Sequence, residues 1–190
     1  MSDRKTEILE LTAELLKQKS FSAFSYQDLA DALGIRRASV HHHFATKADL
    51  GLALLEFYGA NSRRLMEGLR ETAPDPGDAL RQFIGGAEAV MLDGAYRVCP
   101  HGAFDEDAAV LPESIQEGLA KLRNELWNAL TELLEDARQA GGANFGGEAS
   151  AQALLVMAAL EGARAAARCG DREPFKAVVR QLLSSMGLGG

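Results

Sequence analysis

Apolar residues recur at three- and four-residue intervals along most of the chain, the period of helices that bury one stripe. Residues 3–19 put Ile8, Leu11, Leu15 and Leu16 on such a stripe. Ser25 opens a second helix, with Asp28 where a capping-box acid stands and Leu29, Ala30 and Leu33 on its apolar side. Gly34 ends it, because glycine takes the left-handed conformation at a helix C-terminus, and small Ala30 lets the next helix cross closely. In that third helix Ile35, Val40 and Phe44 face inward, which leaves Arg36, Arg37, Ser39, His41 and His42 facing out.

A long helix then runs from Lys47 to about Arg70 and stops before the Pro74-Asp75-Pro76-Gly77 loop. Residues 78–92 follow with Leu80, Phe83, Ile84, Ala87 and Met91 inward, and residues 93–111 read as irregular. Pro112 opens a helix whose stripe of Ile115, Leu119, Leu122, Leu126, Leu130 and Leu133 continues to about Ala140. Residues 141–147 are a glycine-rich loop, and two last helices, about 148–169 and 174–186, are divided at Gly170. No strand pattern, repeat or low-complexity segment interrupts this. The expected fold is all-α, about nine helices: a three-helix helix-turn-helix unit, residues 1–47, and a helical body, residues 48–190, that shares the connecting helix with it.

Charge sharpens the reading of the outward face. The 190-residue chain carries a formal net charge of −7, yet its first 50 residues hold seven Lys/Arg against seven Asp/Glu. No acid lies between Asp31 and Asp49, an interval that contains Arg36, Arg37, Lys47 and His41 to His43. An acidic chain approaches phosphate only if its cations are gathered on one surface, so this segregation favours a face that meets nucleic acid. A metal site at the three histidines is disfavoured: helix neighbours point about 100° apart and cannot converge on one ion, and no cysteine or carboxylate pattern accompanies them. No metal or other cofactor is expected. The longest wholly apolar run, residues 153–160, is far below the roughly 18 residues of a membrane span, and Met1 to Lys5 lead into an amphipathic helix without a secretory signal. A cytoplasmic protein is expected.

The segment LADALGI, the RRASVHHHF that follows it and the Lys47 beyond resemble the N-terminal domain of the TetR family of bacterial transcriptional regulators, many of which carry a pattern of the type TLYxHF here. By position, the resemblance implies that Ser39 and His41 bind phosphate and that Arg37 and His42 reach base edges or phosphate. Lys47 would hold phosphate at a helix N-terminus, Ser25 and Tyr26 would contact the DNA backbone, and His43 would pack inward. His41 stands where the family usually has tyrosine. The resemblance further implies a homodimer, which would read a palindromic operator; coupling of a ligand in the body to the helix that begins near Lys47 predicts a repressor released by a small-molecule inducer, with activation the alternative.

Two features of the body bear on that expectation. The alanine-rich penultimate helix, with Gly162 inside it, and the last helix, with Phe175, Val178, Val179, Leu182, Leu183 and Met186, suit a helix-pair dimer interface; the alternative is that they only close the subunit's own core. Cys99 sits beside Pro100 and His101, and Tyr96, Phe104 and Trp127 supply material for an apolar pocket. A cysteine next to a histidine can form a reactive thiolate. Cys99, Gly102 and Leu111-Pro112 resemble positions in regulators that answer to reactive unsaturated compounds, so an electrophile inducer is one reading and an inert, half-buried cysteine the other; Cys169 is read as structural. An enzyme built on Cys99, His101 and Asp105 is disfavoured because no oxyanion-hole motif is present. A helical interaction module that has lost DNA binding remains the alternative function.

Overall fold

The computed structural model describes residues 3–16, 19–92, 104, 107, 109–167 and 171–189. Among them the regular structure is helical throughout: α1 (Asp3–Leu16), a 3-10 turn (Phe21–Ala23), α2 (Tyr26–Leu33), α3 (Arg37–His43), α4 (Lys47–Thr72), α5 (Pro76–Leu92), α6 (Glu113–Gln139), α7 (Ala149–Ala167) and α8 (Glu173–Ser185). The all-α expectation holds, with eight α-helices among the described residues against the nine expected.

Two cores divide the chain. The first is built from Ile8, Leu9 and Leu16 of α1, Phe21 and Phe24 around the 3-10 turn, Tyr26, Leu29 and Ala30 of α2, Val40 and Phe44 around α3, the start of α4, and Phe104 with Ile115, Leu119 and Leu122. The second joins Met66 of α4 to the interior faces of α5, the C-terminal half of α6, α7 and α8. The compact units accordingly run to residue 60 with the described residues of 104–123, and from 61 through α5 and from 124 onward. They do not follow a cut at 47/48. The first turns of α4 carry Leu50, Leu54 and Leu55, all buried in the first core, so that core extends past the helix-turn-helix itself.

The stripe expected for α1 is rotated slightly. Ile8 and Leu16 are buried as expected, but Leu9 and Thr12 complete the inner face while Leu11 and Leu15 are only half-buried. Thr12 can sit there because its hydroxyl donates to the Ile8 carbonyl at 2.7 Å, which satisfies the one polar group it brings inside. In the second unit, ion pairs Arg63–Glu125 at 2.7 Å and Arg70–Glu132 at 3.4 Å fasten α4 to α6 on the outside. Exposed pairs of this kind contribute about 0–1 kcal/mol each, so burial dominates that contact.

Candidate nucleic-acid interface

The helix-turn-helix is fixed by its caps. Ser25 accepts from the Asp28 amide and its own amide donates to Asp28 Oδ2 at 2.6 Å, completing the expected capping box of α2. These bonds hold the Asp28 carboxyl below its usual range, the Ser25 hydroxyl contributing most and the Ser25 amide next. At the other end Gly34 has φ 63° and ψ 32°, and Ile35 N–H donates back to the Ala30 carbonyl at 2.9 Å. That left-handed residue turns the chain into α3, whose Val40 is fully buried against the α2 side.

With Val40 and Phe44 inside, Arg36, Arg37, Ala38, His41 and His42 are exposed and Ser39 and Ile35 are half-buried. Among the described residues no carboxylate pairs with Arg36 or Arg37. The nearby acids are engaged elsewhere: Asp31 accepts from Gln27 Nε2 at 2.7 Å, Asp28 serves its cap, and Asp49 accepts from the Thr46 amide at 2.8 Å. His41 packs edge-on against Tyr26, ring centroids 4.7 Å apart, with Nδ1 3.4 Å from the Ala45 carbonyl. A short helix thus presents two arginines and two histidines with small residues between them, a surface that can enter a major groove and donate to base edges or phosphates.

Four more of the residues with expected roles make contacts within the protein. Tyr26 is 6% exposed and its hydroxyl donates inward, to the Phe44 carbonyl at 3.0 Å and the Thr46 carbonyl at 2.5 Å. Burial, and secondarily the charge of Asp49, push its phenol up to about 12, and its hydroxyl bridges the α3–α4 turn. Lys47 is likewise half-buried: Nζ donates to the Phe24 carbonyl and, at 3.3 Å, to the Ser22 carbonyl, while lying 4.3 Å from the Phe24 ring centroid. Two of the three ammonium hydrogens are therefore committed inside the protein. Burial lowers its pKa, against the opposing fields of Asp107 and Asp28. Ser25 is exposed, but its hydroxyl donates to Asp28 Oδ2 at 2.6 Å and so works as a cap. His43, expected inside, is half-buried with its ring 5.4 Å from that of His42.

A second capping box was missed by the sequence reading. Thr46 Oγ1 accepts from the Asp49 amide at 3.1 Å while Thr46 N–H donates to Asp49, which fixes the start of α4 just beyond the recognition helix. The Thr-x-x-Asp spacing of residues 46–49 was the available signal.

Residues 8–54 match the model of the bacterial regulatory proteins of the tetR family. The whole chain superposes on a TetR-family transcriptional regulator from Agrobacterium tumefaciens with a TM-score of 0.89 and 31% identity, covering 96% of each chain. The chain belongs to the TetR family. Among curated proteins it is 30% identical over 131 residues to the transcriptional regulator AcuR of Cereibacter sphaeroides, 67% of this chain and 59% of that protein. It is 30% identical over 97 residues to the transcriptional repressor KstR2 of Rhodococcus jostii, 44% of this chain and 48% of that one. The chain thus spans about three-fifths or less of the curated relatives it matches.

Of the expected sensing residues, Phe104 and Trp127 are among the described residues. Tyr96, Cys99 and His101, like Cys169, lie outside the described residues. Phe104 is fully buried in the first core, whereas Trp127 packs on the second, its Nε1 donating to the Ser150 carbonyl at 2.9 Å.

The expected dimer residues also divide. Phe175, Val179, Leu182 and Met186 are buried in the subunit's own second core and Leu183 is half-buried there, so α8 spends its apolar stripe on its own chain. Gly162 is exposed on α7. Along the same helix Ala151, Leu154, Leu155, Ala158 and Ala165 are exposed too, Leu154 by 49% and Leu155 by 56%. The sequence stripe of α8 was the stronger apolar signal, but its burial leaves α7 with the open apolar face.

Proposed function

We propose that this TetR-family member is a ligand-responsive repressor that binds a palindromic DNA operator as a homodimer and leaves it when a small-molecule or electrophile inducer binds the body. The observation that carries the reading is the α3 surface: Arg36, Arg37, His41 and His42 exposed on a helix bonded at its end by the Tyr26 hydroxyl and set between the capped C-terminus of α2 and the capped N-terminus of α4. Such a surface supplies base-edge donors from the arginines and phosphate donors from Ser39 and the histidines. The relative named as a repressor supports the direction of control. Two copies meeting through the exposed Leu154 and Leu155 side of α7 would bring two recognition helices to successive major grooves, about 34–36 Å apart or a multiple of it. The protein regulates rather than catalyses, and it works in the cytoplasm. No helix among the described residues is long and apolar enough to cross a membrane.

Cys99 is the residue through which an electrophile would act, on the strength of its His101 neighbour in sequence. The decisive experiment is fluorescence anisotropy against the duplex upstream of the protein's own gene and a scrambled duplex at two salt concentrations. Salt-sensitive preference for the upstream duplex is expected. Equal, weak binding to both duplexes, together with no enriched site in an unbiased selection, would replace the regulator by a helical interaction module.

A further inference from the structure

The loop that launches α2 is held from outside the helix-turn-helix. Phe21, in the 3-10 turn, stacks on Phe104 with ring centroids 5.0 Å apart and planes at 29°, and meets Phe24 edge-on at 5.6 Å. Three residues further on in the sequence, Asp107 Oδ2 accepts from the Ser22 amide at 2.7 Å. That amide heads a one-turn helix with no side-chain cap from its own N-cap residue, Ser20, so the acceptor is supplied by a residue 85 positions away. Lys47, within the field of Asp107, takes the carbonyls of Ser22 and Phe24 and lies over both phenyl rings, 5.1 Å from Phe21 and 4.3 Å from Phe24. The space is filled so closely that a Cβ on Gly51 would stand 2.7 Å from Ile115 Cδ1 and 2.9 Å from Phe21 Cζ.

We infer that Phe104 and Asp107 are positioning residues of the DNA reader: a strut that fixes the Phe21–Phe24 turn, and with it the start of α2 and the clamp on α3, from outside the helix-turn-helix. The inference rests on the DNA-binding reading for its functional consequence and on hydrogen bonding and ring packing for its structural one. The chain of contact is short. Asp107 and Phe104 hold Ser22 and Phe21; Phe24 and Ser25 follow directly; the Ser25 cap begins α2; and Tyr26 in the first turn of α2 bonds the carbonyls that end α3. A ligand that withdraws Phe104 from its stack would loosen this path and lower operator affinity without entering the interface.

The sign of one substitution separates this role from plain electrostatics. Asp107→Asn removes a negative charge from the unit that approaches phosphate, which by long-range field alone tightens every duplex. As a strut residue its weakening must lower operator affinity instead. The test uses the full chain and three variants, Asp107→Asn, Asp107→Glu and Phe104→Ala, each checked for native helicity and mass. Anisotropy against the selected operator reads affinity, and hydrogen exchange reads the amides of residues 21–29. The expected result is an affinity loss of about five- to fifty-fold in Asp107→Asn and Phe104→Ala, with an unchanged salt slope because no phosphate contact is lost. Faster exchange confined to residues 21–29 is expected beside it, and partial recovery in Asp107→Glu. Affinity that is equal or higher in Asp107→Asn, with exchange at Ser22 unaltered, overturns the strut. If the unmodified protein binds no duplex, the DNA-binding reading fails, and unaltered exchange in Asp107→Asn would still sink the strut independently.

Discussion

Replacing Tyr26 by phenylalanine distinguishes a clamp from a DNA contact at the one residue where sequence and structure disagree most. The substitution keeps the ring, and so its packing in the first core and against His41, but deletes the hydroxyl that serves the Phe44 and Thr46 carbonyls. A buried acceptor left without its donor costs about 1–3 kcal/mol. One hydrogen shared between two acceptors, one of them half-buried, places the loss near 2 kcal/mol. In a chain of this length that corresponds to a Tm lower by about 4–8 °C, measured by circular dichroism at pH 7. The pH dependence gives a second handle. The phenol is pushed up from its ordinary 10.0 to about 12, so the folded state prefers the protonated form. Its contribution is complete below about pH 10 and is lost as pH rises toward 12. The gap between the two proteins should therefore narrow above pH 10. An unchanged Tm at pH 7 combined with weaker operator binding would refute the clamp and restore Tyr26 to the DNA backbone.

Arg37→Ala should relax preference at one base position by about 1–3 kcal/mol, read by selection from randomised duplexes; a uniform loss across all sequences would make Arg37 a phosphate contact instead. Leu155→Asp on the open face of α7 should yield folded monomers by light scattering, whereas Val179→Asp should unfold the second unit, because it buries a charge at a side chain 1% exposed; a folded monomer from Val179→Asp would return the interface to α8. Gly51→Ala should lower stability: overpacking against Ile115 and Phe21 costs about 1–3 kcal/mol and exceeds the roughly 1 kcal/mol gained in helix propensity, so a raised denaturation midpoint would contradict the packing. Cys99→Ser should abolish release of the operator by an α,β-unsaturated electrophile while leaving DNA affinity intact, and a full response would remove Cys99 from the mechanism.

What the sequence discloses about this chain follows the range of the interactions involved. The turn at Gly34, the Ser25 box and the outward face of α3 are set by neighbours within about five residues, and residue type, cap spacing and periodicity locate them. The roles of Tyr26 and Lys47 depend on partners 18 to 25 residues away, at Phe44, Thr46, Phe24 and Ser22, where spacing carries no signal. A polar tip on an apolar body can point either way at such a position, and here burial of the ring and the alkyl stem turned both tips inward. The same limit explains α8. A strong apolar stripe announces that a helix is covered, but not whether its own chain or a second copy covers it. The last helix, α8, packs on α5 and α7 of its own chain with Leu182 and Met186 in their shared core, and the weaker, alanine-rich pattern of α7 kept the exposed leucines.

These long-range contacts give the proposed regulation a route that does not pass through the DNA face. Behind the exposed arginines and histidines of α3 stand Tyr26, which bonds the α3–α4 turn, and Lys47 and Asp107, which bond the turn before α2. Each holding bond is individually worth about 1 kcal/mol, too little to determine whether the unit folds but comparable with the 1–3 kcal/mol by which effectors shift affinity. A reader whose placement depends on several such bonds can lose most of its affinity through one of them while its core stays intact. For that reason the residues that determine response in this chain are expected behind the recognition helix, at Phe21, Ser22, Phe104 and Asp107, rather than on it.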